Sequence, residues 1–187
     1  WESGVAYFLD SAPIANAELL LKSLQYAQRF GGVVATRSLD IGLAKFGHVH
    51  EGVISTSLGL KGIPRIAEVI AIKRDLEVLK YAEGRLHISG ISTAESVRLI
   101  KEAKDEGLKV TCDVAIHNLN FSDSDTLPFD TSFKTDPVIR EESDRLALLQ
   151  GLSSDVIDAI SSYHIPRSSE EKSLEFDLAD FGITSLQ

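Results

Sequence analysis

Apolar positions along the chain fall into two alternating rhythms, short continuous runs and longer stretches with helical spacing. Leu20, Leu24 and Ala27 recur at helical spacing between Asn16, a good N-cap, and Gly31, which suits a C-terminal cap, and so predict a first long helix. Gly32 to Thr36 then reads as a buried strand. Pro64 suits the first turn of a second long helix, carried by Val69, Ile72, Leu76 and Leu79 and stopped by Gly84. Arg85 to Gly90 follows as a strand. Ser92 with Glu95 three residues later forms a capping-box start for a helix through Val97 and Ile100 that ends near Gly107, and Lys109 to Ile116 is the next strand. Only Ser122 to Asp136 lacks either rhythm. Arg145, Leu146 and Leu149 belong to a further helix ending near Gly151, and Val156 to Ser161 gives a fourth strand.

About four strand–helix units in this order predict an α/β protein with parallel strands joined by crossover helices. An open doubly wound sheet is the generic form, yet no strand is followed by a glycine-rich phosphate loop. Four units are also half of an eight-stranded barrel, whose open half would leave edges and apolar faces uncovered. The missing strands must then come from elsewhere.

Composition narrows the function classes. The 187 residues are 43% hydrophobic, enough for a real core, and show no repeat or long linker, so one domain over residues 1–187 is expected. A net charge of -9 disfavours binding to nucleic acid or to anionic membranes. No run approaches the roughly 20 apolar residues of a membrane span. The single cysteine, Cys112, lies in an apolar stretch and suits a reducing, cytoplasmic setting. Trp1 opens a chain without methionine, so further residues are expected to precede it.

Five blocks carry a resemblance: His50-Glu51-Gly52, Gly59-Leu60-Lys61-Gly62-Ile63-Pro64, Leu86 to Ala94, Val110-Thr111-Cys112-Asp113-Val114 and Ser162-Tyr163-His164-Ile165-Pro166. In this order they resemble the central and C-terminal part of dihydroorotase, a cyclic amidohydrolase of pyrimidine synthesis. The resemblance implies a (β/α)8 TIM barrel of the metal-dependent amidohydrolase type. It also implies a metal-binding His where this chain has Thr36, a second at Gly90, and a catalytic Asp at Tyr163. These three types are poor zinc ligands or bases, so no zinc is expected in this chain, although active members hold it.

The resemblance makes His117, Asn118, His164 and Asp136 candidate substrate-binding residues. His117-Asn118 matches a His-His pair, His164 a histidine that helps hold the substrate carboxylate, and Asp136 an Asn that reads the pyrimidine ring. Arg37 introduces a cation beside the lost ligand at Thr36; it either replaces the missing positive charge or forms an ordinary salt bridge. His164 has two open readings, pocket function and structural hydrogen bonding. Asp10 reads as turn chemistry before Pro13 rather than a metal ligand. His48-Val49-His50 has a metal-like spacing but matches a loop without ligand duty, and His87 is expected to be satisfied by a backbone partner.

Three functional readings follow. The first is a dihydroorotase, reversibly cyclising N-carbamoyl-aspartate through a rearranged site. The second is a non-catalytic homologue that assembles with or regulates aspartate carbamoyltransferase, and the third is ligand binding in the retained pocket. The expected partners are the remainder of the barrel and a second copy in a homodimer.

Overall fold

A computed structural model describes residues 7–9 and 13–186. Strand β1 (Tyr7–Leu9) leads to helix α1 (Ala17–Gln28), whose N-terminus is capped by the Asn16 side chain accepting from the Glu18 N–H. β2 (Val33–Thr36) is followed by α2 (Ile41–Ala44), β3 (Val49–His50), α3 (Val53–Leu58) and β4 (Gly62–Ile63). Then come α4 (Arg65–Ala82), β5 (Leu86–Ile91), α5 (Ala94–Asp105), β6 (Val110–Ala115) and α6 (Ile116–Asn120). Two 3-10 turns (Asp123–Thr126 and Thr131–Phe133), α7 (Glu142–Ser153), β7 (Ala159–Ser161) and α8 (Ser169–Lys172) complete the described chain.

The main sheet runs β1-β2-β5-β6-β7 and every neighbouring pair is parallel. β3 and β4 form a separate two-stranded pair. Side chains alternate across a strand, and here the two faces differ in chemistry. Val34, Leu86, Ile88, Val110, Cys112 and Val114 pack into one buried cluster with Leu20, Leu24, Ile72, Leu79, Ile100 and Leu148 of the covering helices. The opposite face carries His87, Thr111 and Asp113, with the His87 ring hydrogen-bonded to the other two.

The helical rhythm locates α1, α4, α5 and α7 correctly, while the element ends need correction. Pro64 is the N-cap of α4, one position before its first turn. Thr93, not Ser92, caps α5: its hydroxyl accepts from the Ser96 N–H at 3.1 Å. Ser92 is drawn away because its hydroxyl and N–H both donate to the buried carboxylate of Glu68, at 2.5 and 2.9 Å. β6 ends at Ala115, so His117 sits in the short helix α6 rather than on the strand. β7 starts only at Ala159, since the N–H groups of Val156 and Ile157 turn back onto the Gly151 carbonyl. Asp10 lies outside the described residues.

Glu68 organises the start of α5. Besides Ser92, it accepts from the Thr93 N–H at 3.1 Å and the Ser96 hydroxyl at 2.5 Å, and Arg140 stands 4.0 Å away. Asp144, also buried, accepts from the Ala94 N–H at 2.9 Å. Two carboxylates thus meet the unpaired N–H groups at the positive end of the helix. We predict that Glu68→Ala costs about 3 kcal/mol or more of folding stability, because several buried donors lose their acceptor together. Glu68→Gln, which keeps one carbonyl oxygen, should cost less. Denaturant midpoints of the full-length protein check both; a Glu68→Ala loss within measurement error refutes the role.

Candidate functional site

The C-terminal ends of the strands bring Gly90, Asp113, His117, Asp136, Pro137 and Tyr163 together. β5 and β6 shift register between Ile88 and Ile91, and Gly90 takes a left-handed conformation there, with φ of 65°. Its N–H donates to Asp113 Oδ1 at 2.9 Å. Asp113 Oδ2 lies 2.9 Å from His87 Nε2, whose ring also meets the Thr111 hydroxyl at 2.8 Å through Nδ1. The partners of His87 are therefore side chains, contrary to the backbone partner expected, because its inward face places Thr111 and Asp113 opposite it.

Tyr163 comes from the loop after β7, itself left-handed with φ of 46°. A Cβ added at Gly90 would stand 2.5 Å from Tyr163 Oη and 2.9 Å from Pro137 Cγ, so the phenol fills the place of a side chain at position 90. The His117 ring meets Tyr163 edge-on, with centroids 6.4 Å apart. His117 Nε2 pairs with the Pro137 carbonyl at 2.8 Å, while its buried Nδ1 has no hydrogen-bond partner. Asn118 donates to the Val138 carbonyl at 2.8 Å and its Oδ1 is likewise unpartnered.

Of the other candidates, Arg37 joins this contact set through Asp136. Thr36 is fully buried at the end of β2, where it pairs in register with Ile88, and its hydroxyl has no partner. Its neighbour Arg37 donates to Asp136 Oδ1 at 2.7 Å, so the Asp136 carboxylate is charge-paired within the chain. His164 accepts from the Ser185 N–H through Nδ1 at 3.1 Å. His48 leads into the short β3–β4 pair, with its Nδ1 buried and unpartnered.

Sequence reasoning missed a second polar cluster. His50, on β3, is buried, with Asp123 and Glu141 close enough for one ligand atom of each to lie within 4.8 Å of the others. Arg140 NH1 lies 3.1 Å from His50 Nδ1, and Arg65 bridges Glu141 at 2.7 Å and Asp144 at 2.8 Å. The three ligand-type residues come from separate segments, so no local spacing announces them.

Relatives define the scaffold. No protein-family model matches the chain. A protein named dihydroorotase from Pelotomaculum thermopropionicum (strain DSM 13744 / JCM 10971 / SI) is 44% identical over 183 residues, covering 98% of this chain and 43% of the relative. Another of that name, from Ehrlichia canis (strain Jake), is 38% identical over 188 residues, covering 100% of this chain and 42% of the relative. The chain belongs to the dihydroorotase family. It spans less than half the length of these relatives.

The dihydropyrimidinase of Brevibacillus agri NCHU1002 matches the fold with a TM-score of 0.81 at 20% identity, over 98% of this chain and 43% of that one. The L-hydantoinase of Arthrobacter aurescens matches at 0.82 and 22%, over 99% and 44%. The sheet and its helices thus have the fold of part of a (β/α)8 barrel.

Thr36, Gly90 and Tyr163, where the resemblance implies metal ligands and a catalytic Asp, do not fit a zinc ion. Gly90 offers no donor atom, and the space around it is taken by Tyr163. Burial, and then the nearby Asp113 charge, push the Tyr163 hydroxyl well above its usual pKa, so it stays a neutral phenol at neutral pH. Thr36 brings only a neutral hydroxyl. The His50 cluster does not supply a replacement. A guanidinium can only donate, so His50 Nδ1 accepts from Arg140 and the proton of the neutral ring sits on Nε2, the atom facing Glu141. Ligation through Nε2 would need the proton on the side that Arg140 occupies.

His50 also makes stability depend on pH. Burial first, and then Arg140 and Arg65, lower its pKa from 6.5 to about 4. Between these values the unfolded chain binds the proton and the folded chain refuses it, so stability present above pH 6.5 is lost as pH falls toward 4. The loss is on the order of 3 kcal/mol. We expect His50→Gln, whose carbonyl can still accept from Arg140, to flatten the stability profile across this window in the full-length protein. An unchanged slope refutes the assignment.

Proposed function

We propose that this chain is the central and C-terminal part of a dihydroorotase-type barrel that keeps the family's scaffold without its metal-assisted chemistry. Its role is then that of a non-catalytic partner in pyrimidine biosynthesis, assembling with or regulating aspartate carbamoyltransferase. The observation that carries this reading is the donor set at the strand ends. Opening or closing an unactivated cyclic amide calls for a metal-bound water whose pKa is brought to about 7. Thr36, Gly90 and Tyr163 do not hold a metal, and a buried neutral phenol is a poor base at neutral pH.

What this chain's residues offer instead is binding. Arg37 and Asp136 form an ion pair at the site, and His117, Asn118 and His164 line the strand-end loops on hydrogen bonds to main-chain groups. Among the described residues no helix is long and apolar enough to cross a membrane. The net charge of -9 suits a protein partner with a basic face better than a nucleic acid.

The 44% identity to a protein named dihydroorotase favours a second reading, in which the whole protein turns over dihydroorotate with ligands supplied from outside this segment. One measurement separates the two. Purified full-length protein should contain far less than one zinc per chain and show no dihydroorotate hydrolysis with zinc added. Stoichiometric zinc together with turnover on the order of 1–1000 per second would overturn the non-catalytic reading. Co-purification with aspartate carbamoyltransferase tests the partner separately.

A further inference from the structure

We propose that Tyr163 is a protein-made replacement for the metal, a plug that fills the ligand space at Gly90 and joins the ends of β5, β6 and β7. This deepens the non-catalytic reading and rests on it. A bound metal would tie several strand ends to one centre; here the same strand ends meet at one phenol and one carboxylate.

Four contacts enclose the phenol. Gly90 lies beneath it, close enough that an added Cβ would stand 2.5 Å from Oη and 2.9 Å from Cζ. Pro137 closes the same space, its Cγ 2.9 Å from that Cβ position, and the His117 ring stands edge-on to Tyr163 at 87°. Asp113 neighbours the hydroxyl and its charge raises the phenol's pKa further. That carboxylate also holds the Gly90 N–H at 2.9 Å and His87 Nε2 at 2.9 Å. The hydroxyl remains protonated and keeps its donor capacity toward Asp113.

The arrangement has a signature that a loosely packed tyrosine would lack. Gly90 and Tyr163 both adopt left-handed backbone, with φ of 65° and 46°. For a non-glycine residue that conformation costs roughly 1–2 kcal/mol, so the contacts of Tyr163 offset a standing strain. Each residue constrains the other: position 90 accepts no side chain while the phenol is present, and the phenol has no space once position 90 carries one.

The test is a double-mutant cycle in the full-length protein. Gly90→Ala meets the left-handed backbone, Pro137 and the phenol in the Tyr163 background, but only the backbone and Pro137 in the Tyr163→Ala background. We expect the Tm loss from Gly90→Ala to be larger in the first background by roughly 3 °C or more. Should Gly90→Ala not fold, Tyr163→Phe carries the test: it keeps the volume, and must lie between wild type and Tyr163→Ala in Tm. A second arm adds zinc. Gly90→His alone should gain no zinc-dependent rise in Tm, whereas Gly90→His with Tyr163→Asp should gain one. Additive Tm changes, or zinc stabilisation of the single Gly90→His variant equal to that of the pair, would overturn the plug. Additivity in a zinc-free, inactive protein overturns the plug alone, whereas zinc and turnover in the wild type overturn the functional reading.

Discussion

The carboxylate of Glu68 has no solvent to fall back on, and the strand-end architecture is arranged around that fact. It is buried, and its oxygens receive the Ser92 and Ser96 hydroxyls and the Ser92 and Thr93 N–H groups. Arg140 donates to the Ser92 hydroxyl at 3.0 Å and to the Ile63 carbonyl at 2.7 Å, tying β4 and the loop before α7 into the same network. Each member is buried, so each is expensive to leave unpaired, and the set holds or fails together. The segment after β5 is thereby fixed two residues beyond Gly90. The site's geometry depends on this anchoring.

Asp113 plays the corresponding part on the inner face. The register shift frees the Gly90 N–H from the β5–β6 ladder, and an unpaired buried N–H is not tolerated, so Asp113 receives it. Its second oxygen meets His87, and its charge faces Tyr163. One carboxylate therefore meets three groups, two on β5 and one in the loop after β7. At neutral pH this is a hydrogen-bonded lattice around a neutral Tyr163, whose ionisation burial pushes further out of reach.

The outward face of the sheet was largely legible in the sequence, and the inward face was not. Leu20, Leu24, Ile72, Leu79 and Ile100 recur at helical spacing because they all touch one apolar layer, and the structure buries every one. The chemistry at Gly90, Tyr163 and Thr36 was legible only through resemblance, since no local pattern marks a position by what it lacks. Ser92 misled because a serine three residues before a glutamate is a valid helix start locally, and only the distant Glu68 decides that Thr93 takes the role. Asp123 and Glu141 gave no signal at all; residues 18 apart in sequence meet His50 only after folding.

The same division of faces limits what family membership says about activity. The apolar side of each strand, with the helices covering it, specifies the barrel, while reacting groups come from strand ends and inward positions. These two sets of residues barely overlap here: the buried cluster of Val34, Leu86, Ile88, Val110, Cys112 and Val114 shares no member with Thr36, Gly90, Asp113, His117 and Tyr163. An identity of 44% over 183 residues therefore speaks for the scaffold and does not by itself establish the chemistry at the strand ends. The residues that fix helices and sheet order leave the side chains at Thr36, Gly90 and Tyr163 free to differ without loss of the fold. Such differences are structurally tolerable only if the volumes also balance. A Cβ at Gly90 would stand 2.5 Å from Tyr163 Oη, so the phenol occupies the space that a side chain at position 90 would need. Glycine at position 90 and tyrosine at position 163 are thus coupled through the volume they share.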